Sequence, residues 1–259
     1  DGPLQILLQK DMRGRLDAID KDARSADGLS DAFLAPKQRT RRAIRQNNQR
    51  QWKRYADGVT ESQVQTEGDI QAAASVTVTD IRVAPLLLST WGQGNGGSGY
   101  CYNYYTPNHD VCGCAATAMA QLMRYHSWPV AGIGVKTFTI TVDDVAQSAS
   151  TRGGNGSGGA YLWSQMPYTP TSAMTEAQRQ AIGALCYDAG VAISTDYTAS
   201  ASSAYMSKVD TAMTSVFKYT NSIYCPTYSA ADKMINANLD AKLPVMLGIS
   251  GYYGGHAVV

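Results

Sequence analysis

The sequence predicts an α+β fold preceded by a charged helical segment, and three observations carry that prediction. Charge is unevenly spread: residues 1–70 hold 13 Lys/Arg and 11 Asp/Glu, whereas residues 71–259 hold 9 and 10. From about residue 76, short β-branched stretches are punctuated by Gly-rich turns. Helical stretches occupy the first part of that low-charge region and apolar strands close it, which suits an α+β domain. The division falls between residues 1–75, a helical segment and linker, and residues 76–259, the folded domain.

The elements follow in chain order. Leu4, Leu8, Met12, Leu16 and Ile19 recur at spacings of three and four, one face of an amphipathic helix, with Pro3 near its first turn. Residues 37–54 hold eight Lys/Arg and no acid, which reads as a solvated helix face rather than a nucleic-acid or membrane surface. Residues 57–75 are polar and rich in Gly, Gln and Ala, as linkers are. Residues 76–83 (VTVTDIRV) and 135–142 (VKTFTITV) alternate as strands do, while 92–99 and 153–159 are Gly-rich loops. Those loops lack the spacing of a phosphate-binding fingerprint. Thr175 and Gln178 form a capping-box pattern opening a helix that Gly190 should close. Further helices are expected near 203–217 and from Ser229 to Lys242, before Pro244. Residues 245–249 (VMLGI) and 256–259 (HAVV) then read as neighbouring strands joined through Ser250–Gly255.

Composition excludes several classes of function. A 259-residue chain with 44% hydrophobic residues builds one sizeable core, with room for an appendage. Its net charge of +1 supplies no field to steer a nucleic acid. No apolar run approaches the roughly 18 to 20 residues that span a bilayer. The chain starts at Asp1, so an upstream leader is expected, and it stops at Val259 within a strand pattern, so a further strand is expected.

The reactive side chains cluster at Cys101, His109, Cys112, Cys114 and His126. After Gly113 the pattern turns helical, which places Cys114 in a first turn. There the unpaired N–H groups and the positive dipole end favour a nucleophilic thiolate. The plainer alternative is an inert buried cysteine. A thiolate needs a base, and His256 lies on a predicted strand after two glycines, suited to face a helix-borne cysteine. His126, in the last turn of the same helix, reads as a cation favoured by the negative dipole end and too distant to pair with Cys114. His109 is a candidate to line the cleft. Cys101, His109, Cys112 and Cys114 as a metal site is a poor fit, because Cys-x-Cys is not a usual zinc spacing. No cofactor is expected. Pairing among Cys101, Cys112, Cys186 and Cys225 has three possible connectivities, and spacing does not choose among them.

Residues 111–129 (VCGCAATAMAQLMRYHSWP) resemble the nucleophile helix of the streptopain-like (C10) cysteine peptidases, and residues 254–259 (GGHAVV) resemble that family's Gly-Gly-His-Ala segment. Residues 161–167 (YLWSQMP) and 190–197 (GVAISTDY) fall between them in the family's order. The resemblance covers residues 83–259. It implies a papain-like peptidase domain, with Cys114 as nucleophile on a helix and His256 as general base on an antiparallel sheet. It further implies endopeptidase cleavage of protein substrates through an acyl-enzyme, with a hydrophobic side chain preferred two residues before the cut. The bacterial enzyme would be secreted, cell-surface or periplasmic. Residues 1–75 take the place of the family's pro-region, an inhibitor of its own cleft, with release expected within residues 71–84. The backbone N–H of Cys114 is one oxyanion donor by geometry. The family's Gln position falls on Gly248, which leaves Ser250, Asn108 or another N–H as the second. The family's orienting Asn or Asp follows the His, and its place here is beyond Val259. A catalytically inactive binding module that keeps the fold, using residues 94–105 as its surface, is the alternative.

Overall fold

A computed structural model of the chain describes residues 83–97, 99–251 and 254–259. The expected N-terminal helix, basic run and linker lie outside the described residues, as does all but the last residue of the expected strand 76–83.

The longest helices build the core. Helix α1, Cys114–His126, opens from Gly113 at φ 90°, a backbone conformation that favours glycine. Its first turn is braced by Thr117, whose N–H and hydroxyl both donate to the Gly113 carbonyl at 3.0 Å. The Ala- and Met-rich sequence leaves most of its surface buried. Ser127 ends it in a left-handed conformation, its N–H turned back to the carbonyls of Met123 and Arg124. Helix α2, Glu176–Ala192, has the expected capping box: Gln178 N–H donates to Thr175 Oγ1 (3.3 Å) and Thr175 N–H to Gln178 Oε1 (2.9 Å). The helix does not stop at Gly190 but runs two residues further. A Cβ at Gly190 would collide with the hydroxyl of Tyr197, so this glycine serves close packing rather than termination.

Helices α1 and α2 pack against each other. Met119, Met123, Ile182, Leu185, Ile193 and Phe217 are all fully buried in the resulting core. Each such side chain contributes about 1.5–3 kcal/mol relative to exposure.

A three-stranded sheet covers one side. Strands β3 (Thr137–Val142) and β4 (Val145–Ser150) pair antiparallel around Asp143 and Asp144, both at positive φ as a two-residue hairpin turn demands. The short β5, Asp196–Tyr197, joins β3 in parallel. Ile140, Val142, Val191 and Tyr197 form a second, smaller core beneath. Upstream, the expected loop 92–99 contains a minimal antiparallel pair, β1 (Asn95–Gly96) with β2 (Gly99–Tyr100).

The chain closes with α3 (Val209–Ser215), α4 (Tyr228–Asp240) and an antiparallel hairpin, β6 (Leu247–Gly251) with β7 (Gly254–Val258). Helix α3 is shorter than the expected 203–217, a 3-10 turn at Met206–Lys208 taking up part of the span. Thr214 and Ser215 hydroxyls bond back to the carbonyls of Asp210 and Thr211, competing with helix continuation. Strand β7 packs on α1, which brings the closing hairpin to the helix that Cys114 opens.

Candidate active site

Cys114 is the first residue of α1 and half-buried. What precedes it is held rigidly. Cys112 N–H donates to the Gln93 carbonyl (2.9 Å), and the Cys112 thiol lies 3.2 Å from Thr117 Oγ1. Gly113 passes so close to the loop after β5 that an added Cβ would lie 3.1 Å from the Ser202 carbonyl oxygen. That loop is pinned at its base by paired backbone bonds between Asp196 and Ser203 (2.8 and 2.9 Å). Ser202 Oγ bridges the Thr198 N–H and carbonyl at 3.0 and 3.1 Å.

His256 is half-buried on β7, opposite Ile249 on β6. Because β7 packs on α1, His256 and Cys114 both line one cavity of about 1260 Å³. Residues Ala201–Ala204 form part of its wall, and Met119, Met206, Val209, Met213 and Met246 make much of it apolar. Met206 also lies against Gly248, where an added Cβ would come within 3.2 Å of its Cγ. The arrangement offers a thiol and an imidazole on separate elements lining one open, partly apolar cavity. The helix N-terminus favours negative charge at the sulfur.

Residues 91–259 match the peptidase C10 family. The chain belongs to that family. It is 30% identical to streptopain of Streptococcus pyogenes over 168 residues, which are 60% of this chain and 40% of streptopain. The chain thus spans well under half the length of that curated relative. Among solved structures it is similar to active wild-type interpain A cysteine protease of Prevotella intermedia: TM-score 0.53, 26% identity, covering 68% of this chain and 74% of interpain A. A mutant fragment of prointerpain A from the same organism matches at TM-score 0.52 and 26% identity, over 68% of this chain and 56% of the fragment. The fold is the α+β, papain-like one that the C10 resemblance implies, with the helix that Cys114 opens packed on an antiparallel hairpin.

Among the other reactive residues of this C10 chain, His109, Cys101 and Cys112 lie away from the cavity that Cys114 and His256 line, whereas His126 lines it too. His109 is not among the cavity's lining residues. Its ring stacks on Tyr100 at 3.7 Å, and its Nδ1 lies 3.1 Å from the Asn103 carbonyl. Asn108, beside it at φ 53°, is likewise absent from the lining, and the Ser250 side chain lies outside the described part. His126 lines the same cavity from the far end of α1, about 18 Å along the helix. Partial burial lowers the His126 pKa, which works against the cation expected at this helix end. Cys101 and Cys112 are fully buried, and all five cysteines are thiols. Among the described residues no group of three or more potential ligands gathers as a metal site.

The sequence reading missed Asp188, the anchor of the Gly-rich loop 153–159. It is fully buried and accepts from Arg152 N–H (2.7 Å), Gly153 N–H (2.8 Å) and Tyr161 OH (2.6 Å). Burial pushes its carboxyl up to about 6 despite those three bonds, which favour the ionised form. An acid within the apolar face of α2, beside Leu185 and Ala189, was the available signal.

Proposed function

We propose that this chain is the catalytic portion of a secreted bacterial cysteine endopeptidase acting on protein substrates, with Cys114 as nucleophile and His256 as general base. The observation that carries the reading is the shared cavity: a cysteine at a helix N-terminus and a histidine on the packed hairpin both line it. His256 takes the Cys114 proton, and the thiolate attacks the scissile carbonyl carbon. The oxyanion that forms is met by the backbone N–H of Cys114. The imidazolium then protonates the leaving amine, leaving a thioester. Water, deprotonated by His256, attacks the thioester, releasing the carboxylic acid and restoring the thiol. The apolar methionine wall supports a preference for a hydrophobic side chain near the cut.

Residues 1–75 act as the pro-region in this reading, an inhibitor of their own cleft released by cleavage within residues 71–84. Their charge density and position support it. Export is supported by the family resemblance, and no helix of the described residues is long and apolar enough to cross a membrane.

The test is labelling of the full chain with iodoacetamide at neutral pH, followed by peptide mapping. Cys114 should react at least tenfold faster than the other four cysteines, and casein cleavage should vanish in Cys114→Ala. Equal, slow labelling of all five, or proteolysis that survives Cys114→Ala, rejects the assignment. N-terminal sequencing of the processed form then checks residues 71–84.

A further inference from the structure

Helix α1 is rich in alanine and methionine, yet it buries two polar side chains, Thr117 and Gln121, one turn apart. A buried polar group is accounted for by the bonds it makes. Gln121 Oε1 accepts from Ser89 Oγ (3.1 Å) and Trp91 N–H (3.3 Å), which lays that segment along the helix. Thr117 acts nearer the helix start. Its hydroxyl lies 3.0 Å from the Gly113 carbonyl oxygen and 3.2 Å from that of Gly92, so its one proton is shared between the two. With the proton so placed, the Cys112 thiol, 3.2 Å away, is the donor to Thr117 Oγ1. The Gly113 carbonyl also accepts the Thr117 backbone N–H at 3.0 Å. It thus receives two donors from one residue.

That carbonyl belongs to the same planar peptide unit as the Cys114 N–H, and in a trans peptide the two point in opposite directions. Whatever fixes the direction of the oxygen therefore fixes that of the N–H. We propose that Thr117 is a positioning residue for the oxyanion donor: its hydroxyl orients and polarises the Gly113–Cys114 peptide so that the Cys114 N–H meets the charge forming on the substrate oxygen. The inference rests on the reading of Cys114 as nucleophile. Gly113, at φ 90° and without a Cβ, does little by itself to stop this peptide from rocking. The Thr117 hydroxyl restrains it, because the hydroxyl is itself held by the Gly92 carbonyl and the Cys112 thiol. A second donor on the carbonyl also draws electron density from the amide and strengthens its N–H as a donor. The effect is greatest once the oxyanion has formed, so it acts on the transition state rather than on substrate binding. Alkylation of the Cys114 thiolate forms no oxyanion and does not draw on it.

The test compares the full chain with its Thr117→Val and Thr117→Ser variants by casein turnover and by iodoacetamide labelling of Cys114. Thr117→Val keeps the branched shape and removes the hydroxyl, whereas Thr117→Ser keeps the hydroxyl. In Thr117→Val, kcat should fall about tenfold, while KM and the labelling rate stay within about twofold of the parent. Thr117→Ser, the conservative variant, should rescue kcat to within about twofold. A Thr117→Val variant with the parent's kcat, or one whose labelling rate falls in step with kcat, overturns the proposal. If Thr117→Val does not fold, Thr117→Ala carries the same comparison. A kcat of Thr117→Ser about tenfold below the parent's overturns the proposal in either case. Failure of the underlying reading shows separately, because the parent chain would then label all five cysteines equally and slowly.

Discussion

The carbonyl oxygen of Ser202 stands 3.1 Å from where a Cβ on Gly113 would lie, and Gly113 itself is at φ 90°. One position therefore needs glycine twice, for its backbone conformation and for its neighbour. Gly113→Ala is expected to strain the turn and push the Ser202 loop from the cavity wall, displacing Cys114. At φ 90° and ψ 150°, a region essentially reserved for glycine, the backbone alone costs another residue about 1–3 kcal/mol. A thermal melt should fall by several degrees and iodoacetamide labelling of Cys114 should slow. An unchanged labelling rate would show that the turn does not position the thiol.

His256 faces the cavity from a hairpin strand opposite Ile249. His256→Ala removes the proposed proton acceptor while leaving the strand's backbone pairing intact. Peptidase turnover should drop by at least two to three orders of magnitude, with little change in melting temperature. Parallel loss of stability would assign His256 a packing role instead.

Asp188 makes stability depend on pH. Its folded-state value of about 6 lies above the ordinary aspartate value of 3.8, so the native state holds the proton more tightly than the unfolded chain. This group's contribution is greatest below about pH 4, declines as pH rises, and is lost above about 6. Asp188→Asn should flatten that part of the profile. It should also destabilise the protein, because one of the backbone N–H groups of Arg152 and Gly153 then faces an amide nitrogen. Denaturant midpoints measured from pH 4 to 7 check both outcomes.

Thr175 caps α2 reciprocally with Gln178. Thr175→Ala leaves the Gln178 N–H to solvent and should cost about 1 kcal/mol, or roughly 2–4 °C in melting temperature. No effect on Cys114 labelling is expected, since the cap is absent from the cavity lining.

Local chemistry explains which of these features are legible in the sequence. The capping box at Thr175, the helix beginning at Cys114 and the closing hairpin are written in residue types at short spacing, where glycine, threonine and apolar periodicity act on their immediate neighbours. Strand β4 was not anticipated: residues 145–150 (VAQSAS) have little strand character, and pairing with β3 across the Asp143–Asp144 turn holds them extended. Gly190 misleads because a helix-stopping residue is also the only one that fits beneath Tyr197.

The sequence by itself determined that Cys114 would open a helix, that His256 would ride a strand, and which family the chain joins. Tertiary structure decided that these two line one cavity while His109 is drawn to Tyr100, because the packing of β7 on α1 joins residues more than 140 positions apart. It also lowers the His126 pKa and raises that of Asp188, since desolvation is set by what the rest of the chain packs around a group.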